Sequence, residues 1–393
     1  MTHFETRRPP LAPFATLAKP ARALALLIFG AMAFVKPAMA QHTIYFGTYT
    51  GPLSQGIYRS TLDEATGQLS APELVAGAKN PSFLALSPDG QALYAALESD
   101  GSAVGAWAIG ADGKLSALNQ QPSGGEGACH VWVDATGKNV LAANYGSGSI
   151  ACWRVREDGS LGERSAFVQF TGSGPDANRQ QGPHAHSIYT NAANNLVYAC
   201  DLGTDQVHIF GFDAARGTLS PNDPPASKVP AGGGPRHLAL GRGGFAYANN
   251  EMGLSVTAFK IDAITGALTE IQTVPTVPQD APRAGVSTAE IFVHPTGKWL
   301  YVSNRGRDTI AVFAIGEDGK LSPVQEVATP REPRGFALAG DGRWLVVGGQ
   351  KDNRAQAFRI DAATGRLQAS GQAVEVGAPV CVLFATPAAP KTK

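Results

Sequence analysis

Short apolar segments and glycine-containing turns alternate along most of the chain, and no long stretch keeps the 3.6-residue period of an amphipathic helix. Turns that end in Asp-Gly or Thr-Gly close at Gly90, Gly137, Gly297 and Gly342. Each of these turns follows one apolar segment and precedes another, and a third segment comes next, as in 309–315. Short apolar segments bounded by Gly, Pro and Asp are typical of β-strands. The pattern therefore predicts an all-β protein.

A second turn, Gly-x-Leu, recurs seven times at intervals of 46 to 58 residues. Its glycines are Gly67, Gly113, Gly159, Gly217, Gly266, Gly319 and Gly365. Glycine and aspartate tolerate the left-handed backbone that tight hairpins need. Each repeat has room for four short strands, which is the content of one β-propeller blade. The repeats therefore predict a propeller of seven blades.

The two ends of the repeat region complement each other. The first unit begins with what aligns as a second strand, 44–47, and its missing inner strand appears at 379–385. The C-terminal strand would then complete the first blade and close the ring, which removes an exposed sheet edge. A β-sandwich or a pair of domains would leave this reciprocal deficit unexplained. We predict one propeller domain over residues 41–388, followed by a short tail at 389–393.

The first forty residues have the order of a secretory signal peptide. A basic segment with Arg7, Arg8, Lys19 and Arg22 precedes an apolar run at 23–35, and Ala-Met-Ala follows at 38–40. The apolar run is too short for a stable membrane span. We predict cleavage after Ala40 and a periplasmic or secreted protein that has no membrane attachment after cleavage.

Charge and cysteine content exclude several classes of protein. The chain has 32 basic and 32 acidic residues without a run of like charge, so nothing favours nucleic acid or an anionic membrane as a partner. The four cysteines allow three disulfide pairings, but a core of this size needs no disulfide. The cysteines also lack the spacing of a metal-binding motif. We expect a monomer that binds a small molecule.

Candidate chemistry lies at one rim of the ring. The start of each innermost strand and the end of each second strand lie at the same rim, because neighbouring strands are antiparallel, and the turns described above occupy the other rim. The innermost strands are predicted to start at Cys381, Ser82, His130, His186, His237, Glu290 and Gly335, with Arg236 and Arg334 one residue earlier. The second strands are predicted to end at Tyr49, Glu98, Tyr145, Leu202, Glu251, Arg305 and Gln350.

Histidine, arginine and glutamate side chains that converge on a narrow channel indicate a binding site for an anionic small molecule. The longer segments at 171–185 and 272–288 precede innermost strands, so they are expected to cover this mouth in part. We predict substrate contacts for Tyr49, Glu98, His130, Tyr145, His237, Glu290, Arg334 and Gln350. His237 could instead only bond a neighbouring strand, and His184 is expected to shape its loop.

Two other chemistries are less favoured by the residues. His130, His186 and His237 come from three successive blades, which is a wide spacing for a zinc site, so we expect neither a metal nor another cofactor. The segment 146–150 reads Gly-Ser-Gly-Ser-Ile, an incomplete version of the serine-hydrolase motif in a predicted hairpin.

Several motifs occur in order between about residues 43 and 385. They are Tyr-Phe-Gly-Thr-Tyr-Thr at 45–50, Gly-Pro-His-Ala-His-Ser at 182–187, Gly-Pro-Arg-His at 234–237, Asn-Glu at 250–251 and Ser-Asn-Arg-Gly at 303–306. With these motifs the chain resembles the lactonase family of seven-bladed propellers, which includes propeller-type 6-phosphogluconolactonase and a fungal carboxymuconate cyclase. The resemblance implies His186, Arg236, Glu251 and Arg305 as the catalytic residues.

The same four residues belong to the strand ends selected above. Lactone hydrolysis needs an activated water, a stabilised oxyanion and a proton for the leaving alkoxide. We expect either Glu251 or His186 to be the base, with Arg236 and Arg305 holding the oxyanion and an anionic group of the substrate. The substrate would be a sugar-derived lactone. A non-catalytic propeller that binds a ligand or protein at this rim, and a muconate-type cyclase, remain alternatives.

Overall fold

The computed structural model describes residues 41–99 and 101–385, and these residues form 28 strands in seven four-stranded antiparallel sheets. The seven-bladed propeller predicted from the repeats is confirmed. No helix in this part of the chain has the length and apolar character needed to cross a membrane. The predicted signal peptide at 1–40, its cleavage site and the tail at 389–393 lie outside the described residues.

The strands fall at regular positions along the chain. The first fourteen are β1 (Gln41–Thr48), β2 (Gly56–Asp63), β3 (Glu73–Gly77), β4 (Pro81–Leu86), β5 (Ala92–Leu97), β6 (Ala103–Ile109), β7 (Leu115–Pro122), β8 (Ala128–Val133), β9 (Asn139–Asn144), β10 (Ser149–Val155), β11 (Leu161–Gln169), β12 (Ala185–Thr190), β13 (Leu196–Asp201) and β14 (Gln206–Asp213). The others are β15 (Thr218–Lys228), β16 (Pro235–Leu240), β17 (Phe245–Asn250), β18 (Ser255–Ile261), β19 (Leu268–Pro275), β20 (Ser287–Val293), β21 (Trp299–Arg305), β22 (Thr309–Ile315), β23 (Leu321–Ala328), β24 (Pro333–Leu338), β25 (Trp344–Gly349), β26 (Arg354–Ile360), β27 (Leu367–Glu375) and β28 (Pro379–Phe384).

Six blades are built from four consecutive strands, whereas the first blade has the order β28-β1-β2-β3. In that blade Ile44 pairs with Phe384 and Gly47 pairs with Cys381. The C-terminal strand therefore closes the ring as predicted. The seven innermost strands, β28, β4, β8, β12, β16, β20 and β24, contact one another in a circle. They form the wall of the central channel.

The blades are joined by a repeated contact between a tyrosine on a second strand and a turn of the next blade. The hydroxyl of Tyr94 donates to the carbonyl oxygen of Gly159 at 2.9 Å, and that of Tyr301 donates to Gly365 at 2.9 Å. Tyr45, Tyr198 and Tyr247 make the same bond to Gly113, Gly266 and Gly319. The acceptor is in each case the glycine of a Gly-x-Leu turn. These turns therefore set the spacing between blades as well as reversing the chain.

The apolar core lies between the faces of neighbouring blades. One cluster joins Tyr94 and Val104 of the second blade to Val131, Val140 and Trp153 of the third, all of them buried. Burial of apolar surface on both faces of each sheet is the main stabilisation of such a ring. Because every blade covers its two neighbours, the central channel has rigid walls that can hold side chains in defined positions.

Two longer connections enter innermost strands. Residues 170–184 join β11 to β12, and residues 276–286 join β19 to β20. The second connection is shorter than predicted, because residues 272–275 continue β19. Both connections reach the rim where the innermost strands begin.

Candidate active site

Each of the seven innermost strands has a β-bulge or similar irregularity close to its first residue. In β12 the pairing with β13 passes from Ala185 directly to Ser187, so His186 has no partner in the ladder. The same irregularity leaves Cys129 unpaired in β8 and Arg236 unpaired in β16. A bulge bends the strand and redirects the side chain of the extra residue. Here the residues without a pairing partner are the ones at the mouth of the channel.

The bulges shift the register from the one expected. The sequence placed His130, His237, Gly335 and Cys381 at positions equivalent to His186. The structure instead aligns His186 with Cys129, Arg236, Arg334 and Val380, each one residue earlier. The prolines that begin β4, β16, β24 and β28 mark this register in the sequence. Proline fits the first residue of a strand because it has no N–H to donate to the ladder.

Side chains from these strands line a cavity of about 360 Å³, called here the polar cavity. Its lining residues are Glu98, Cys129, Tyr145, Arg179, His186, Glu251, Ser287, Arg305 and Arg334. They come from the starts of innermost strands, from the ends of second strands and from the 170–184 connection. The rim predicted from strand direction therefore does carry a concentration of ionisable groups.

Glu251 lies at the centre of a cluster of three arginines. Its Oε1 accepts a hydrogen bond from Arg179 Nη2 at 2.8 Å. Its Oε2 lies 3.1 Å from Arg236 Nε and 3.0 Å from Arg305 Nη2. Burial raises the pKa of this carboxyl, but Arg305, Arg236 and Arg179 outweigh that effect and lower the pKa to about 2. Glu251 is therefore a carboxylate at neutral pH and a very weak base.

His186 is a neutral imidazole at the wall of the polar cavity. Burial, followed by the positive charge of Arg236, holds the pKa of His186 well below its usual range. Its Nδ1 lies 3.9 Å from the sulfur of Cys129. Burial raises the pKa of that thiol to about 12, so Cys129 is uncharged at neutral pH. The ring of His186 is thus unprotonated at neutral pH.

Behind the polar cavity lies a layer of buried polar side chains. Arg236 Nη1 donates to His237 Nε2 at 3.2 Å, since a guanidinium can only donate. Nε2 must then lack a proton, and Nδ1 of the neutral ring donates to Glu290 Oε1 at 2.7 Å. Burial raises the pKa of Glu290 to about 8 and holds the pKa of His237 well below its usual range. This neutral pair fixes the position of Arg236 beside Glu251.

The model of the family described as "Lactonase, 7-bladed beta-propeller" matches residues 43–384, which is most of the chain. The chain belongs to this family. Among its relatives, the 6-phosphogluconolactonase of Bacillus subtilis is 35% identical over 351 residues, which is 88% of this chain and 99% of the relative. The 6-phosphogluconolactonase of Formosa agariphila is 32% identical, with 83% of this chain and 94% of the relative covered.

Solved structures give the same result. A periplasmic gluconolactonase of Pseudomonas aeruginosa is 28% identical to this chain, with a TM-score of 0.83. A protein of Lactobacillus plantarum is 35% identical, with a TM-score of 0.82. Each comparison covers 88% of this chain and 99% of the solved chain. The protein is a lactonase, as the resemblance in sequence indicated.

Most of the predicted site residues of the lactonase lie in or beside the polar cavity, and Tyr49 lies next to its lining residue Glu98. The polar cavity contains Glu98, Tyr145, His186, Glu251, Arg305 and Arg334, and Arg236 pairs with Glu251 beside them. Tyr49 stands behind this wall, where its hydroxyl donates to Glu98 Oε2 at 2.8 Å and its ring lies below Arg334. The catalytic and binding roles assigned to these residues remain predictions.

Besides Tyr49, four predicted substrate contacts of the lactonase are not among the lining residues of the polar cavity. His130, His237 and Glu290 belong to the layer behind it, because the bulges place Cys129 and Arg236 in register with His186 instead of the two histidines. Gln350 follows β25 and is not among the lining residues either. The predicted strand register is therefore wrong by one residue for His130 and His237, whereas the substrate contacts predicted for this group stay predictions. His184 does shape its loop, since its Nδ1 lies 2.8 Å from the carbonyl oxygen of Tyr145.

Arg179 is the residue that the sequence analysis missed. It lies in the 170–184 connection, where it bonds Glu251 and also donates from Nη2 to the Tyr145 hydroxyl at 3.0 Å. Gln180 holds this connection in place, because its Nε2 donates to Leu202 O and to Asp205 Oδ1. The sequence showed that the connection reaches the mouth, but loop residues have no periodicity that would single out one arginine.

Among the described residues, the histidine and cysteine side chains of the channel do not form a metal-type cluster. The rings of His130 and His186 each lie 5.3 Å from that of His237, and the three histidines do not converge on one point. Within the described residues, the side chains close enough to share an ion are His42, Glu64 and Asp341 on the other rim. Arg343 already pairs with both of those carboxylates. All four cysteines are buried and free.

Proposed function

We propose that this lactonase hydrolyses a sugar-derived lactone in the polar cavity, with water as the nucleophile. The observation that carries the proposal is that a neutral His186 and the guanidinium group of Arg305 line one small cavity, with Arg236 paired to Glu251 beside them. A lactone ring needs a base on one side of its carbonyl and positive charge near the oxygen. These residues provide both.

The proposal assigns His186 as the general base. Because Nδ1 faces Cys129, Nε2 is the nitrogen available to a water molecule. As the water oxygen bonds to the lactone carbonyl carbon, Nε2 takes the proton of the water. The tetrahedral intermediate then collapses, the ring C–O bond breaks, and the imidazolium returns the proton to the departing alkoxide. The product is an open hydroxy acid.

The proposal assigns Glu251 a positioning role rather than the role of base. A carboxylate whose pKa is about 2 has little tendency to take a proton from water at neutral pH. Its three ion pairs instead hold Arg179, Arg236 and Arg305 in fixed directions. Nε of Arg236 and Nε of Arg305 are buried without a well-aligned hydrogen-bond acceptor among the described residues. Guanidinium groups held in this way suit a developing oxyanion.

The proposed substrate is an aldonolactone met outside the cytoplasm. The leader-like order of residues 1–40 supports export, and the solved relative from Pseudomonas aeruginosa bears the name periplasmic gluconolactonase. The guanidinium of Arg334 makes no ion pair with the described residues, although it lines the polar cavity. An anionic group on the sugar would be stabilised by an ion pair with this guanidinium. We therefore expect a phosphorylated lactone to bind more tightly than the plain one in vitro.

The test is a hydrolysis screen with a chain that begins at Gln41. Gluconolactone and its 6-phosphate are each supplied with and without a chelator, and the acid released is followed by pH-stat titration above the spontaneous rate. We expect catalysed opening of both lactones, unaffected by chelator. Hydrolysis of other lactone classes without either sugar lactone would contradict the proposed substrate. Loss of activity with chelator would contradict the metal-free mechanism.

A further inference from the structure

A second cavity, called here the apolar cavity, lies at the opposite end of the channel and has a volume of about 440 Å³. Six of the seven innermost strands line it, namely β28, β4, β8, β12, β16 and β20. Leu86, Leu240, Val293 and Phe384 are half-buried at its mouth. It shares no lining residue with the polar cavity. The two cavities are thus separate sites within one channel.

The apolar cavity has walls suited to an uncharged ligand. Among its lining residues, all of which the structure describes, there is neither a lysine nor an arginine, and Glu290 is the one acidic residue. The carboxyl group of Glu290, with its pKa of about 8, is mainly protonated at neutral pH. A charged ligand would lose its hydration without gaining a counter-charge here. Ligand sites with mostly apolar walls and few polar groups commonly have this size.

One residue that lines this cavity has a buried polar atom without a hydrogen-bond partner among the described residues. His130 is fully buried, and its Nδ1 accepts the N–H of Ile188 at 3.5 Å, so the proton of the neutral ring is on Nε2. Nε2 has no hydrogen-bond partner among the described residues. The ring is held by stacking on Phe83, with 4.2 Å between centroids. A buried donor without an acceptor costs free energy, which an oxygen atom of a ligand would recover.

We propose that the apolar cavity is a binding site for a neutral, largely apolar small molecule that carries one oxygen acceptor, bonded to His130 Nε2. The apolar part of the ligand would lie against Leu240, Val293 and Phe384, and its oxygen would reach the floor. The site is independent of lactone hydrolysis, so its test does not depend on the function proposed above.

The experiment uses 2-naphthol as the probe, together with naphthalene and naphthalene-2-sulfonate as matched controls. Binding to the chain that begins at Gln41 is measured by calorimetry and by the fluorescence of Trp132, which lines the cavity. We expect saturable binding of 2-naphthol. We expect binding about fivefold to tenfold weaker for naphthalene, which lacks the oxygen, and none for the sulfonate. Gluconolactone should not compete with the probe.

Two variants locate the binding site. Val293→Phe fills the mouth and should abolish naphthol binding while lactone hydrolysis is unchanged, because Val293 lies far from the polar cavity. His130→Phe keeps a planar ring against Phe83 but removes the donor, so naphthol should then bind no better than naphthalene. The proposal is overturned if 2-naphthol does not bind, if Val293→Phe leaves binding intact, or if gluconolactone displaces the probe. Equal binding of naphthol and naphthalene by the unaltered chain would overturn the role of His130.

Discussion

At the scale of single residues, the polar cavity combines one neutral imidazole with an excess of positive charge. His186 stays neutral because burial and the charge of Arg236 both disfavour its protonated form. Glu251 stays ionised because three guanidinium groups outweigh its burial. The same environment therefore lowers the pKa values of the two groups for different reasons, and at neutral pH it leaves an unprotonated imidazole beside an ionised carboxylate.

We predict that His186→Gln lowers kcat for lactone opening by about 100-fold or more, because general-base catalysis typically contributes a factor of this size or larger. The amide has a similar reach but cannot accept a proton. Steady-state kinetics on gluconolactone would measure the effect. His42→Gln, on the other rim, is the matched control and should keep full activity. An active His186→Gln enzyme would exclude His186 as the base.

We predict that Glu251→Gln lowers the free energy of unfolding at neutral pH by about 3 kcal/mol. This is the free energy that corresponds to a carboxyl pKa of 4.5 in the unfolded chain and about 2 in the folded protein. A depressed carboxyl pKa stabilises the fold above pH 4.5, and this stabilisation is lost as the pH falls toward 2. Urea unfolding at several pH values should show the difference between the two proteins shrinking over that range. Phosphate should stabilise the variant more than the wild type, because it can replace the missing negative charge. A difference that does not change with pH would contradict the arginine-cluster account.

Glu290 should have the opposite dependence on pH. Its pKa is raised to about 8, so folding favours the protonated form, and the stabilisation present below pH 4.5 is lost as the pH rises toward 8. The buried histidines also change stability with pH, and comparison with Glu290→Gln isolates the contribution of the carboxyl. We predict that this variant gains stability relative to the wild type between pH 4.5 and 8 in urea unfolding. A difference in the free energy of unfolding that stays constant between pH 4.5 and 8 would show that Glu290 is ionised throughout this range.

At the scale of strands and loops, the 170–184 connection contributes chemistry as well as cover. Gln180 is fully buried and bonds Leu202 and Asp205, and Asp205 also accepts the N–H of Gly234. Arg179 follows directly from this fixed point. The connection is thus tied to the start of β16, the strand that carries Arg236.

We predict that Gln180→Ala raises KM several-fold, because the connection would no longer hold Arg179 against Glu251 and Tyr145. In a double-mutant cycle, Arg179→Met should cost little more once Gln180 is gone. Steady-state kinetics of the four proteins would measure this coupling, and thermal unfolding would separate it from a general loss of stability. Fully additive effects would mean that Gln180 does not act through Arg179.

The strands themselves could be predicted better than their register. The Gly-x-Leu turns are visible because the left-handed backbone selects glycine, as at Gly159, where φ is 83°. The bulges have a weaker signature, since any residue can be the extra one and prolines mark the first residue of β4, β16, β24 and β28 but not of β8, β12 or β20. A single-residue slip therefore placed His130 and His237 where Cys129 and Arg236 lie. Glu251 and Arg305 were placed well because the ends of the second strands have no bulge.

At the scale of the whole molecule, the ring depends on a pairing between its two ends. β28 pairs with β1 and also packs against β24 and β4. Without β28, β1 would present an unpaired edge and the wall of the channel would be open. The stability of all seven blades is thus coupled to one late strand.

We predict that a chain ending at Gly377 aggregates or unfolds without a cooperative thermal transition, because it lacks β28. A chain ending at Ala385 retains that strand and should unfold like the full-length protein. Differential scanning calorimetry and light scattering would compare the two. A truncated chain with the same transition temperature as the longer one would show that ring closure contributes little.

The closing strand also has a consequence for the timing of folding during synthesis. The ribosome makes β1 before every other described strand and β28 after all of them, although the two are neighbours in one sheet. A nascent chain can therefore stack its middle blades but cannot complete the circle until residues 379–384 have emerged. We expect protease resistance of stalled chains to rise sharply only beyond that length. Resistance that grows evenly with each added blade would instead indicate that the open arc is already stable before the circle is complete.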